Sequence, residues 1–357
     1  MDTEPITARS LARCYGVNGD TLERNYKEHL SGYRSWEQSG HAKDWVLIPQ
    51  NLGTRLCIDE TQIGDEVYTI LSRWEGRCRK GTVIAMVRGT AADDVLKILR
   101  KLPGEEREKV AEVTMDMSDS MRAIVEGAFP KAVITLDVFH MMKRCIDALE
   151  ELRLKFKRQA QAETKRAESE FKKEQARLAE QRRKWRSAHK KKKGEKRGRK
   201  RKRKNARFRP GILENGDTLV ELLTRSKYAL SQSCEKWSEK QRNRMKLLFK
   251  KYPKLNEAYN LVNGIRAIFR SSTLTRDTAK EKMKEWYDAV AKCTLREMKS
   301  ARDALKNREE DVLNYFVSRS TNAMAESFNS KLKAFRAQLR GITDIPFFMF
   351  RLCKIFG

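Results

Sequence analysis

The chain has 357 residues, 77 of them Lys or Arg against 48 Asp or Glu, for a formal net charge of +29 at pH 7. That length holds two or three domains and a real core. No apolar stretch approaches the roughly 20 residues that cross a bilayer, no basic-then-apolar leader opens the chain, and the seven scattered cysteines contain no C-x-x-C pair, which argues against a zinc ribbon or a disulfide framework.

Residues 1–50 read as a helix–turn–helix-like segment. Leu11, Ala12, Cys14 and Tyr15 lie in one helical stretch, residues 16–20 supply a turn and a cap, and Thr21, Leu22 and Tyr26 begin a second helix. In a DNA-binding version the second helix enters the major groove, with Arg24, Asn25 and Lys27 as readers. A plain helical hairpin fits the same pattern.

Residues 51–150 alternate strands and helices. A tryptophan-rich extended patch leads into a strand at 54–59, and β-type alternation marks 66–73 and 82–88. Val95, Ile98, Leu99 and Leu102 follow helical spacing over 93–102. Strands at 112–115 and 132–136 then alternate with helices at 118–129 and 139–149. Three strands, then helix, strand, helix, strand, helix is the layout of a ribonuclease-H-like α/β fold, a mixed sheet flanked by helices. In that topology Asp59 lies on the first strand, mid-sheet, and Asp116 at the end of the fourth, beside it.

Residues 151–317 carry almost no strand signal and read as an all-α insertion. Residues 151–187 are a charged helical run without a clean a/d seam. Twenty of the net positive charges fall within 151–210, and residues 190–204 include 12 Lys or Arg. This low-complexity stretch reads as a clamp on nucleic-acid phosphates or as a solvated loop; Lys190, Lys191, Lys192, Lys193, Arg199, Lys200 and Arg201 are its candidate contacts. Amphipathic helices follow at 219–230, 239–250, 255–269, 279–293 and 295–316. Trp185, Trp237 and Trp286 in this region suit either core packing or base stacking. Residues 318–357 open with a helix at 322–335 that carries Glu326, with Arg319, Lys331, Lys333 and Arg336 as phosphate-contact candidates.

Taken singly, the acidic residues have bland readings. Glu60 and Asp119 compete with Asp59 and Asp116 as ligands. Asp116 suits the N-cap of the helix that follows, Glu326 suits a helix surface, and His140 suits a structural histidine. In order along the chain, however, the segments resemble a family. Ile58-Asp59-Glu60, Thr114-Met115-Asp116-Met117-Ser118, Phe129-Pro130-Lys131-Ala132, Asp137-Val138-Phe139-His140 with Arg153, Ser226-Lys227-Tyr228 with Leu230, and Asn322-Ala323-Met324-Ala325-Glu326-Ser327-Phe328-Asn329 are similar to DDE transposases of the ISL-three insertion-sequence type, Mutator-related, over about residues 50–357.

That resemblance implies that Asp59, Asp116 and Glu326 are the catalytic, metal-binding triad, holding two Mg²⁺ or Mn²⁺ ions for phosphoryl transfer, with Asp137 and His140 nearby. It implies end cleavage and 3′-hydroxyl strand transfer on double-stranded DNA by a homo-oligomer in the bacterial cytoplasm, at the nucleoid. Members usually begin with a zinc ribbon. Its absence here suggests that end recognition is reduced or supplied by a separate protein, and the short segment after the glutamate helix suggests little C-terminal domain. A catalytically silent DNA-binding derivative and a nuclease that cuts without joining are the alternative readings.

Overall fold

A computed structural model of the chain describes residues 1–189, 207–339 and 341–357. The chain forms two compact units, one of Met1–Lys143, Ile268–Glu285 and Asp303–Gly357, the other of Arg144–Ala267 and Trp286–Arg302. The basic candidates Lys190, Lys191, Lys192, Lys193, Arg199, Lys200 and Arg201 lie outside the described residues.

The first unit opens with α1 (Ala8–Tyr15) and α2 (Gly19–Asn25). Thr7 and Asn18 cap them by accepting backbone N–H bonds, and Gly16 stops α1 at φ 66°, a left-handed conformation that glycine adopts without a Cβ clash. Six strands follow within one sheet: β1 (Trp45–Leu47), β2 (Arg55–Ile63), β3 (Glu66–Arg73), β4 (Val83–Arg88), β5 (Glu112–Met115) and β6 (Val133–Leu136). Helices α3 (Ala92–Leu99), α4 (Gly104–Glu108) and α5 (Asp119–Ala128) are interleaved with the later strands. The alternation at 66–73 predicts β3 to the residue, and the short strand expected at 112–115 coincides with β5. By contrast β1, three residues long, offers no alternation to read.

The sheet order is β1-β4-β3-β2-β5-β6. The first four strands pair antiparallel, whereas β2, β5 and β6 run parallel. Side chains alternate faces along each strand. Asp59 pairs with Ile70, placing it on one face, and its neighbours Ile58 and Glu60 fall on the other. The free edge of β6 is blunted by a side chain, since Asn314 Nδ2 donates to the Ile134 carbonyl at 2.8 Å.

Helix α6 (Val138–Ala188) is 51 residues long. Sequence periodicity suggests separate runs at 139–149 and 151–187; nothing at Glu150 or Glu151 breaks a helix, and the two join. Its buried residues end at Ala160.

The second unit is helical throughout its described residues. Helix α6 continues into it, followed by α7 (Leu219–Arg225), α8 (Lys227–Ser231), α9 (Glu239–Lys251), α10 (Pro253–Arg270), α11 (Arg276–Lys292) and α12 (Arg296–Lys306), the last three shared in sequence with the first unit. Trp286 and Trp237 anchor this core: their indole N–H groups donate to the carbonyls of Leu261 at 2.8 Å and Ala229 at 2.7 Å. Trp185 is 63 % exposed and stacks on His189.

Back in the first unit come α13 (Glu309–Ser318), α14 (Ala323–Leu339) and α15 (Ile345–Phe356). Phe328, Leu332 and Phe335 of α14 and Phe348, Leu352, Ile355 and Phe356 of α15 share one core with Ile63, Tyr68, Ile70 and Met86 of the sheet. The segment after the glutamate helix is therefore a core element. Helix α15 is apolar on nearly every side, the pattern of a helix buried all round. Both helices lie on the Asp59 face.

Candidate active site

Strand register builds the site. Cys57 pairs with Thr114, and Thr114 with Thr135. Carried two residues on, the same register sets Asp59, Asp116 and Asp137 in one row across three adjacent parallel strands, about 4.8 Å apart from strand to strand. Carboxyl ends of parallel strands are where open α/β sheets place their ligands. Asp137 remains in the ladder, its N–H bonding the Met115 carbonyl at 2.9 Å.

Each aspartate is held. Asp59 Oδ1 accepts the Glu60 N–H at 2.9 Å and its Oδ2 accepts Asn329 Nδ2 at 2.7 Å. Asp116 Oδ1 accepts the Ser118 N–H at 2.8 Å. The N-cap of α5 is Ser118, whose hydroxyl accepts from Met121, so Asp116 is not needed there. Asp137 Oδ1 accepts the Asn322 N–H at 3.0 Å.

Helix α14 delivers Glu326 to this row. At its start Asn322 bonds Asp137 through its backbone and donates from Nδ2 to the Ile58 carbonyl at 3.2 Å. Three residues after Glu326, on the same helix flank, Asn329 bonds Asp59. Further along, Lys331 Nζ donates to the Cys78 carbonyl at 3.0 Å and Arg336 to the Gln62 carbonyl. One carboxylate oxygen or ring nitrogen each from Asp137, His140 and Glu326 lie within 4.8 Å of one another.

Electrostatics follow from this crowding. Burial pushes the Asp59 carboxyl up from 3.8 to about 6; the Glu60 amide and His140 oppose the rise, and Asp116 and Glu326 add to it. Glu326 is raised by burial and by Asp137, against His140. Glu60 is raised by burial and then by Asp116 and Asp59, but alternation turns it to the opposite sheet face. Asp119 is exposed and pairs with Arg308.

The basic candidates divide by their partners. Arg24 and Asn25 are exposed on α2, as is Lys333 on α14. Lys27 is turned inward, pairing with Asp344 at 2.6 Å beside Tyr33 and Phe347. Arg319, at φ 55°, donates to the carbonyls of Ser271 at 2.9 Å and Leu274 at 2.5 Å and lies over Phe316.

Sequence reasoning missed a buried network beneath the site. Glu112 on β5 accepts hydroxyls of Thr135 at 2.7 Å, Ser318 at 2.5 Å and Ser320 at 2.9 Å, and faces Arg55 at 3.4 Å. This ties the sheet to the segment that enters α14. The role of Asn329, quoted only as the end of the last motif, emerges from its i+3 spacing from Glu326 and its bond to Asp59.

Residues 56–352 match the model of the transposase family DDE_Tnp_ISL3. No curated protein matches the chain, and no solved structure does. Among the described residues no helix is long and apolar enough to cross a membrane.

Proposed function

The chain belongs to the ISL-three family of DDE transposases, and from that premise we propose that it cleaves the ends of its own insertion sequence and joins the freed 3′-hydroxyls to target DNA. The observation that carries this reading is the placing of Asp59 on β2 beside Asp116, which directly follows the parallel strand β5, with Glu326 brought to them by α14. Buried acids that repel one another, one with its carboxyl raised to about 6, suit a divalent cation. Their oxygen donors fit Mg²⁺ or Mn²⁺.

Asp59, Asp116 and Glu326 are the proposed ligands of two such ions. When bound, the ions supply activation of a water or 3′-hydroxyl and stabilisation of the leaving oxygen. The chain itself supplies rigidity: Asn329 fixes the Asp59 carboxylate, the Ser118 amide fixes Asp116, and Asn322 sets where α14 begins. Parallel β2-β5-β6 beside an antiparallel β2-β3-β4 meander supports a ribonuclease-H-like core, and the helices between β6 and α14 support its all-α insertion.

The exposed Arg24, Asn25 and Lys333 and the basic run at 190–204 are the proposed DNA contacts. The inward-turned Lys27 and Arg319 serve the fold, Lys331 holds α14 to the turn before β4, and Arg336 holds it to β2. The proposed assembly is a homo-oligomer on DNA.

The test is a labelled duplex carrying the element ends, incubated with Mn²⁺ and wild type, Asp59→Ala, Asp116→Ala or Glu326→Ala. Wild type is expected to cut and join, and all three variants to bind DNA without chemistry. Cutting without joining would replace the transposase reading with a nuclease, and binding alone would replace it with a silent derivative.

A further inference from the structure

We propose that Asp137, His140 and Glu326 form a divalent-cation site with a nitrogen ligand, suited to Mn²⁺ or another first-row transition ion over Mg²⁺. Asp137 is 1 % exposed at the end of β6. One of its oxygens, Oδ1, accepts the Asn322 N–H, whereas Oδ2 is buried without a hydrogen-bond partner among the described residues. A buried carboxylate oxygen left unpaired is costly and rare in folded proteins, and a bound cation is the partner that would satisfy it.

The other two ligands converge on the same place for independent reasons. The Met141 N–H bonds the Asp137 carbonyl, so Asp137 stands at the head of α6 and His140 follows in its first turn. Glu326 arrives on α14, whose start is fixed by the Asn322 bond that occupies Asp137 Oδ1. The three ligand atoms lie within 4.8 Å of one another. Metal bonds of about 2.0–2.2 Å hold ligand atoms up to about 4 Å apart, so rotamer-scale adjustment closes the site. Two carboxylates and a neutral imidazole balance a divalent charge. Imidazole suits transition ions, while Mg²⁺ takes oxygen ligands.

This site shares Glu326 with the cleavage reading but is tested without DNA. Mn²⁺ is titrated into the metal-free full-length protein, and pulsed electron paramagnetic resonance reads the coupling of the bound ion to ¹⁴N. Wild type is expected to show ¹⁴N coupling. His140→Ala should lose it and weaken Mn²⁺ binding about tenfold or more, since loss of even an outer partner costs that much. Asp137→Asn should weaken binding likewise, both variants retaining the wild-type circular dichroism, and Asp59→Asn should keep the coupling. An all-oxygen Mn²⁺ signal in wild type, coupling that survives His140→Ala, or coupling lost in Asp59→Asn would overturn the proposal. Absent strand transfer with the coupling intact would count against the cleavage reading alone.

Discussion

At the scale of single residues, Asp59 carries the sharpest conflict between stability and use. Its carboxyl is raised from 3.8 to about 6, chiefly by burial, so the folded chain favours the neutral form. The resulting stability is full below pH 3.8 and is lost as pH rises through about 6. In metal-free protein at pH 7.5, Asp59→Asn is therefore expected to melt no lower than wild type, and any advantage should close as pH falls from 7.5 toward 4. Its cleavage rate should fall about a hundredfold or more, as when preorganised charge is removed from an active site. Melting curves across pH, set beside the cleavage assay, check both parts. A variant that melts well below wild type at pH 7.5 would show that Asp59 holds the fold together.

At the scale of elements, the placement of α14 decides the site, and Glu112 decides much of that placement. It is 9 % exposed, accepts from three hydroxyls and faces Arg55, which stacks over Trp74 at 3.9 Å. Glu112→Ala leaves the three hydroxyl donors without this acceptor and a partly buried guanidinium, still bonded to Ser320 Oγ, without its carboxylate. Removing one partner of such a pair should destabilise the protein by about 3 kcal/mol. Because Ser318 and Ser320 lead into α14, the same change should weaken divalent-ion binding while the helical content persists. Urea denaturation and a metal titration on one preparation would separate the two effects, and unchanged values in both would remove Glu112 from this role.

At the scale of the whole molecule, charge is unevenly placed. Residues 151–210 hold twenty of the 29 net positive charges, and residues 190–204 alone hold 12 Lys or Arg. Each phosphate neutralised contributes about 0.9 to the slope of log affinity against log salt. Replacing the basic residues of 190–204 with Ser and Gln should lower that slope by about 0.9 for every phosphate no longer neutralised, equally on any DNA sequence, because the backbone positions a protein without specifying where it binds. Mn²⁺ binding should not move. A salt slope identical to wild type would place the DNA surface elsewhere.

Local chemistry was enough for much of this protein. Alternation places β3 and side-chain spacing marks most of the helices, because these patterns are written within a few residues of one another, whereas the cap of α5 is Ser118 and not the Asp116 that the sequence suggests. The resemblance carried by short ordered motifs pointed to the family. It could not show that α15 is core, since twelve residues apolar on almost every side have no period to read. Nor could it bring Glu326 onto Asp137 and His140, which lie more than 180 positions earlier. That meeting depends on strand register and on Asn322, Asn329 and Glu112 fixing one helix against a sheet, interactions that exist only once distant segments have packed.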